Sequence, residues 1–375
     1  MNSSLRIGNL FGIPFFVNVS WFFVLALVTL NFSGGLAAQF PTLGTAAWGL
    51  GLGAGLLMFA SVLLHELGHS FAAQQQGIKV NSITLFLFGG LASLEDEAKT
   101  PAGAFWIAIA GPLVSLALFL LLTGLTASGL VNGPIGSISR LLAYINLSLA
   151  LFNMIPGLPL DGGNVLKAAI WQFTGNRYRG IQWASRMGMV IGGVAMSFGA
   201  LSVLGISNIG SFWTLIIGWF IWRNAKQSAN SATIQETLSG LTAADVVLEN
   251  SPIIQADSTL RQLADIAVVT TRNQNWQRFL VQDSQAQLIG TIPFDTIRSI
   301  PAHQWPDYQV KDFVQSIQPE VQVQANQSLL TVIEQFERQG IQALAVIREN
   351  GTLVGLLEKA QIIQLLQQRT QTQMA

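Results

Sequence analysis

The residues best equipped for chemistry stand together in the stretch LLHELGHSFAAQ, Leu63 to Gln74. His65 and His69 are four apart, so on a helix of about 3.6 residues per turn they share a face and both imidazoles can reach one metal ion. Glu66 projects about 100° away, near an open coordination position, where it can act as general base toward water. The alternative is two core histidines and a chance match, which the presence of only three histidines in the chain disfavours. A catalytic zinc needs a third protein ligand and keeps a fourth position open. The chain has no cysteine, which excludes disulfides and thiolate sites, and the remaining histidine, His303, lies far along in a polar region. A carboxylate is therefore expected. Apart from Glu66 and the run Glu95-Asp96-Glu97, the only acidic residue before Trp222 is Asp161, in NMIPGLPLDGGNVL. After a Pro/Gly turn Asp161 could simply cap a helix. An acid at a membrane-embedded turn is nonetheless costly without a partner, and a metal would be one.

The elements that carry these residues are membrane elements. Half of the 375 residues are apolar and 10% are charged, too few charges for an ordinary soluble chain of this length. Met1 to Trp222 holds eight basic and five acidic residues, net +3, and Arg223 to Ala375 holds eleven and fourteen, net −3. This balance offers no footprint for nucleic acid. Six apolar stretches read as helices able to cross, or nearly cross, a hydrocarbon core of about 30 Å: Phe15–Phe32, Thr45–Ala73, Pro101–Thr126, Leu141–Ile155, Met187–Leu204 and Ile209–Trp222. Arg6 precedes a long apolar run without a cleavage-like site, so that run reads as an anchor. Lysines and arginines fall in alternate connections, which places both termini, and the C-terminal end of the HELGH helix, in the cytosol.

Between the two chemical motifs, NSITLFLFGGLASL alternates Ile83, Leu85 and Leu87 with Thr84 and Phe86 before Gly89-Gly90. Period two predicts a strand and hairpin, with a buried amphipathic loop as the alternative. Gly89 and Gly90 would let another backbone approach closely, which makes them candidate substrate-binding positions. The acidic run 95–97 reads as a solvated loop. Gly111-Pro112 reads either as a kink that makes room or as tolerated packing. Trp213, Trp219 and Trp222 read as interfacial anchors.

Past Trp222 a polar linker, RNAKQSANSATIQETLSG, leads to an internal repeat. Gln255–Leu260 (QADSTL) is echoed by Gln324–Leu329 (QANQSL), and FLVQDSQAQLIG, ending at Gly290, by LAVIRENGTLVG, ending at Gly355. Each unit reads strand, helix, strand, turn, strand, helix.

Two resemblances follow from these residues. HELGHSFAAQQQGIKVNSITLFLFGG followed by FNMIPGLPLDGG closely resembles the site-2 protease family of zinc intramembrane metalloproteases, over about residues 1–222. It implies His65, His69 and Asp161 as zinc ligands, Glu66 as general base, Asn153 as a supporting or oxyanion-stabilising residue, and Pro156 as shaper of the turn. It also implies a membrane-inserted hairpin that pairs with substrate unwound from its helix. The repeat, about residues 241–368, resembles a tandem pair of cystathionine-β-synthase (CBS) domains. That resemblance implies an adenine-nucleotide cleft, but Pro293 and Thr296 after Gly290, and Glu358 and Gln361 after Gly355, depart from the usual pattern. The departure favours a dimerisation or docking module without nucleotide.

The expectation is a polytopic α-helical membrane protein of about six transmembrane helices with a membrane-associated β-hairpin, joined to a soluble α/β tandem CBS module. Its domains are the transmembrane protease (1–222), a linker (223–240), and CBS-like repeats over 241–300 and 301–375. Its expected function is to cut peptide bonds within or near transmembrane segments of a membrane-protein substrate, with one zinc per chain, releasing a tethered regulator. A CBS-regulated transporter would leave HELGH and LDGG without purpose. An inactive segment-binding relative would not need Glu66.

Overall fold

The computed structural model describes residues 4–87, 89–247, 250–271, 278–317 and 321–374. Two compact units result, Met1–Thr233 and Ile234–Ala375.

The first unit opens not on a helix but on a hairpin of β1 (Ser4–Leu10) and β2 (Ile13–Asn18). The first apolar stretch therefore begins as a strand. Its IPFFV run is aromatic and β-branched, and Asn18 starts α1 (Val19–Gln39) by accepting a hydrogen bond from the Ser20 amide. α2 (Ala46–Gln75) carries the HELGH residues in its last third. β3 (Val80–Phe86) and β4 (Gly89–Leu94) form the expected antiparallel hairpin, though Phe88 at its turn lies outside the described residues. β2 pairs with β3 in parallel, matching Phe15 to Ile83 and Val17 to Leu85, so the hairpins merge into one sheet of order β1-β2-β3-β4. That sheet packs on α2 through Ile13, Leu67, Ile78, Val80 and Ile83. β4 is an edge strand beside α2.

α3 (Pro101–Ala127) starts at Thr100, whose hydroxyl accepts from the Gly103 amide. α4 (Gly133–Asn153), α5 (Asp161–Thr174), α6 (Arg177–Val203) and α7 (Phe212–Leu238) follow. Helices α1, α2, α3, α4 and α6 are each long and apolar enough to cross a membrane. The fourth and fifth expected stretches are only parts of longer helices, because helical hydrogen bonding continues into polar flanks such as Ser137–Arg140 and Arg177–Arg186. The sixth stretch is the first half of α7, which runs on through the residues read as a linker to Leu238. Nothing in RNAKQSANSATIQETL breaks a helix before Gly240.

The second unit holds the repeat. β5 (Ile253–Gln255), α8 (Leu260–Thr271), β6 (Arg278–Gln282), β7 (Leu288–Pro293) and the short α9 (Asp295–Arg298) are matched by β8 (Gln322–Gln324), α10 (Leu329–Gln339), β9 (Ala343–Ile347), β10 (Leu353–Glu358) and α11 (Lys359–Met374). Each sheet has three strands, one parallel and one antiparallel pairing, in equivalent order. The segments ahead of each repeat are exchanged. The turn Ala243–Val246 packs into the second repeat's core and is bonded to it by the Ala243 amide on the Gln327 carbonyl, 2.9 Å. Val310 packs into the first repeat's core, and its amide reaches the Ser258 carbonyl, 2.8 Å.

Candidate metal centre

The α2 spacing does place His65 and His69 on one face, and α5 brings Asp161 to them across 96 residues. His65 Nε2 lies 3.1 Å and His69 Nε2 3.3 Å from Asp161 Oδ2, and the two Nε2 atoms are 3.3 Å apart. Tetrahedral zinc with bonds of about 2.0–2.1 Å would need its ligand atoms about 3.3–3.4 Å from one another. The triangle fits that ion nearly as it stands. Among the described residues no other group of His, Asp and Glu converges in this way.

The outer ring nitrogens are also committed. His69 Nδ1 donates to the Ile107 backbone carbonyl at 2.6 Å, and since a carbonyl only accepts, the Nε2 lone pair is left for the centre. His65 Nδ1 meets Ser115 Oγ at 2.9 Å, with both residues buried; the hydroxyl is able to accept from Nδ1, and that tautomer leaves the Nε2 lone pair for the centre. Gly111 makes this approach of α3 possible, because a Cβ there would overlap the His69 ring. Gly111 thus packs against the His69 ring; the kink reading of Gly111-Pro112 is not needed to explain it.

Asp161 is positioned by backbone packing. It is the first residue of α5 and not its cap, which is Leu160, whose carbonyl accepts from the Gly163 and Asn164 amides. Any Cβ at Gly162 or Gly163 would strike the backbone of residues 154–158, so the Asp-Gly-Gly turn nests in the Pro/Gly loop before it. Glu66 lies within electrostatic reach of His65, His69 and Asp161. On its other side stands β4: a Cβ on Gly90 would overlap Glu66 Cγ and lie 3.0 Å from its Oε1. Gly89 has space around it and a φ of 134°, a turn conformation suited to glycine. Asn153, half-buried at the end of α4, makes no hydrogen bond to the three-residue group among the described residues.

Three supporting contacts were not evident beforehand: Ser115, the Ile107 carbonyl, and the buried Asn146, whose Nδ2 donates to Ser61 Oγ at 3.1 Å one turn before His65. A signal did exist for two of them. Ser115 and Asn146 are polar residues inside apolar helices, which are expensive unless paired.

Comparison with known proteins agrees with this geometry. The model of peptidase family M50 matches residues 54–131 and 130–195, and that of the CBS domain matches residues 310–368. A protein of Synechocystis sp. named as a zinc metalloprotease is 51% identical over 98% of this chain and 96% of its own length. Rip3 of Mycobacterium tuberculosis, named likewise, is 30% identical over 98% and 93%. A solved site-2 protease from Methanocaldococcus jannaschii is 29% identical, with a TM-score of 0.43 over 60% of this chain and 95% of that one. With a metal-holding type of His/His/Asp triangle and near full-length kinship to the Synechocystis protein, the chain belongs to peptidase family M50, the zinc metalloproteases of site-2 protease type, and carries a C-terminal CBS module.

Proposed function

We propose that this protein hydrolyses peptide bonds within or near transmembrane segments of a membrane-protein substrate, releasing a tethered regulator toward the cytosol. The observation that carries the reading is the His65–His69–Asp161 triangle, held by helices long and apolar enough to cross a bilayer. These three residues would hold one zinc ion. When bound, zinc supplies Lewis acidity, which polarises a scissile carbonyl and makes water nucleophilic near neutral pH. Glu66 takes the proton from the attacking water and passes it to the leaving amine. Ser115 and the Ile107 carbonyl keep the imidazoles oriented. Asn153 is positioned on the chain eight residues before Asp161, and its assignment as an oxyanion-stabilising residue rests on family resemblance.

A helical substrate hides its peptide bonds, so it must be unwound and held extended before attack. β4 suits that task because it is an edge strand whose Gly90 lies over Glu66. The alternating lysines and arginines support a cytosolic location for both termini. The test is metal analysis of the purified chain together with cleavage of a model transmembrane substrate by parent and Glu66→Gln. About one zinc per chain in both, with turnover only in the parent, is expected. A chain that binds no zinc, or cuts equally well without Glu66, would sink the reading.

A further inference from the structure

We propose that Glu97 is a positioning residue for the protease site. It joins strand β4 to helix α5, the elements that carry Gly90 and Asp161, and so sets the spacing between the strand that would hold an extended substrate and the metal group. This rests on the protease reading given above.

The acidic run after β4 is not uniform. Glu95 faces Lys79 at 3.9 Å with both side chains more than half exposed, a contact worth little. Asp96 has no ion pair among the described residues. Glu97 instead divides its two oxygens between two cations, Oε1 to Arg177 at 2.9 Å and Oε2 to Lys167 at 3.4 Å. Glu97 itself is 51% exposed, but Lys167 is 15% and Arg177 29% exposed, so these pairs are screened somewhat less than the Lys79–Glu95 contact.

Position in the fold gives the contact its meaning. Glu97 lies three residues past the end of β4, which reaches the centre through Gly90 and Glu66. Lys167 lies on α5, whose first residue is Asp161, and Arg177 is the first residue of α6. The loop carrying Glu97 is tied on both sides: the Glu95 amide donates to the Lys79 carbonyl at 2.9 Å, and Ala98 packs on the core between the sheet and α2. A shift at Glu97 therefore moves the strand and is not absorbed by slack. With the carboxylate gone, two adjacent cations repel and the α5–α6 hairpin loses its tie to β4.

The experiment uses the full chain in one detergent. Glu97→Gln keeps size and removes charge. Its KM for the model transmembrane substrate should rise roughly three- to ten-fold, the range a partly shielded ion pair commands. kcat and zinc content should stay at the parent's values, and Glu97→Asp should restore part of the KM. Salt should raise the parent's KM and leave the variant's flat. Because the chain has no cysteine, spin labels can be placed cleanly at Leu91→Cys on β4 and Phe173→Cys on α5, both exposed. Their distance distribution should broaden in Glu97→Gln and, for the parent, in about 0.5 M NaCl. An unchanged KM, an unchanged distribution, or loss of zinc in Glu97→Gln overturns the proposal. If the parent proves as inactive as Glu66→Gln, the protease reading fails, while the label distances still decide whether Glu97 holds β4 and α5 together.

Discussion

At the residue scale, the metal group is a set of contacts with unequal consequences. Removing a ligand, as in His65→Ala or Asp161→Ala, should abolish stoichiometric zinc binding, measured by elemental analysis; full occupancy in either would remove that residue from the set. Ser115→Ala leaves all three ligands in place but frees the His65 ring, so zinc affinity should fall by about 10- to 100-fold in a chelator competition. Gly111→Val should act through His69, whose ring occupies the space a side chain would need, and cost zinc although Gly111 ligates nothing. The histidine pair was legible because helix periodicity is local. Ser115 and Gly111 stand out in the sequence as residue types, but their partners do not, since which face of α3 meets His65 is settled by packing between segments 50 residues apart.

At the element scale, β4 and the exchanged CBS segments each invite a test. Gly90→Val would press directly on Glu66, so it should lower kcat as well as any strand pairing; equal activity would show that β4 can move away from the base. Pairing itself is better tested from the substrate's side. A segment with Gly or Pro near the cut should be cleaved faster than a Leu-rich one, because less helix must be undone, and equal rates would count against an extended intermediate. In the CBS module, Thr242 donates its amide and hydroxyl to Asp245 at 2.7 and 2.8 Å, which holds that carboxyl below the usual aspartate range. A depressed folded pKa stabilises above the unfolded value and is lost as pH falls through the folded one. Asp245→Asn should therefore lower the module's melting temperature at pH 7, and the gap to the parent should close in acid. A gap that persists unchanged at pH 3 would assign the effect to something other than the carboxylate. The hairpin β3–β4 could be read from alternation. The strand β2 could not, because IPFFV is as apolar as the helix that follows it and its pairing with β1 and β3 is what distinguishes them.

At the scale of the whole molecule, the side on which the C-terminus lies turns on α7. Five crossing helices alone would leave the termini on opposite sides; a crossing by α7 returns the C-terminus to the side of the N-terminus. Trp219 and Trp222 stack with Arg223 and Lys226 at 5.2 and 5.0 Å, a pairing typical of a membrane boundary. With that boundary, a fluorescent protein fused after Ala375 should fold and fluoresce, and a periplasmic phosphatase fused there should stay inactive. The opposite pattern would mean α7 does not cross and the CBS module lies outside the cytosol.

Sequence by itself determined the chemistry and the solvent: HExxH on an apolar helix, a lone distant aspartate, and a repeat in a chain whose charges crowd beyond Trp222. Those features are local or compositional, and they survive without knowing any contact. Tertiary structure decided what touches what. It brought Asp161 across 96 residues to the histidines, gave each imidazole an outer partner, set Gly90 over Glu66, and exchanged the leading segments of the CBS repeats. Such outcomes depend on close packing, in which a missing Cβ or a single buried hydroxyl selects one approach of two helices over another. No periodicity in the chain records that choice.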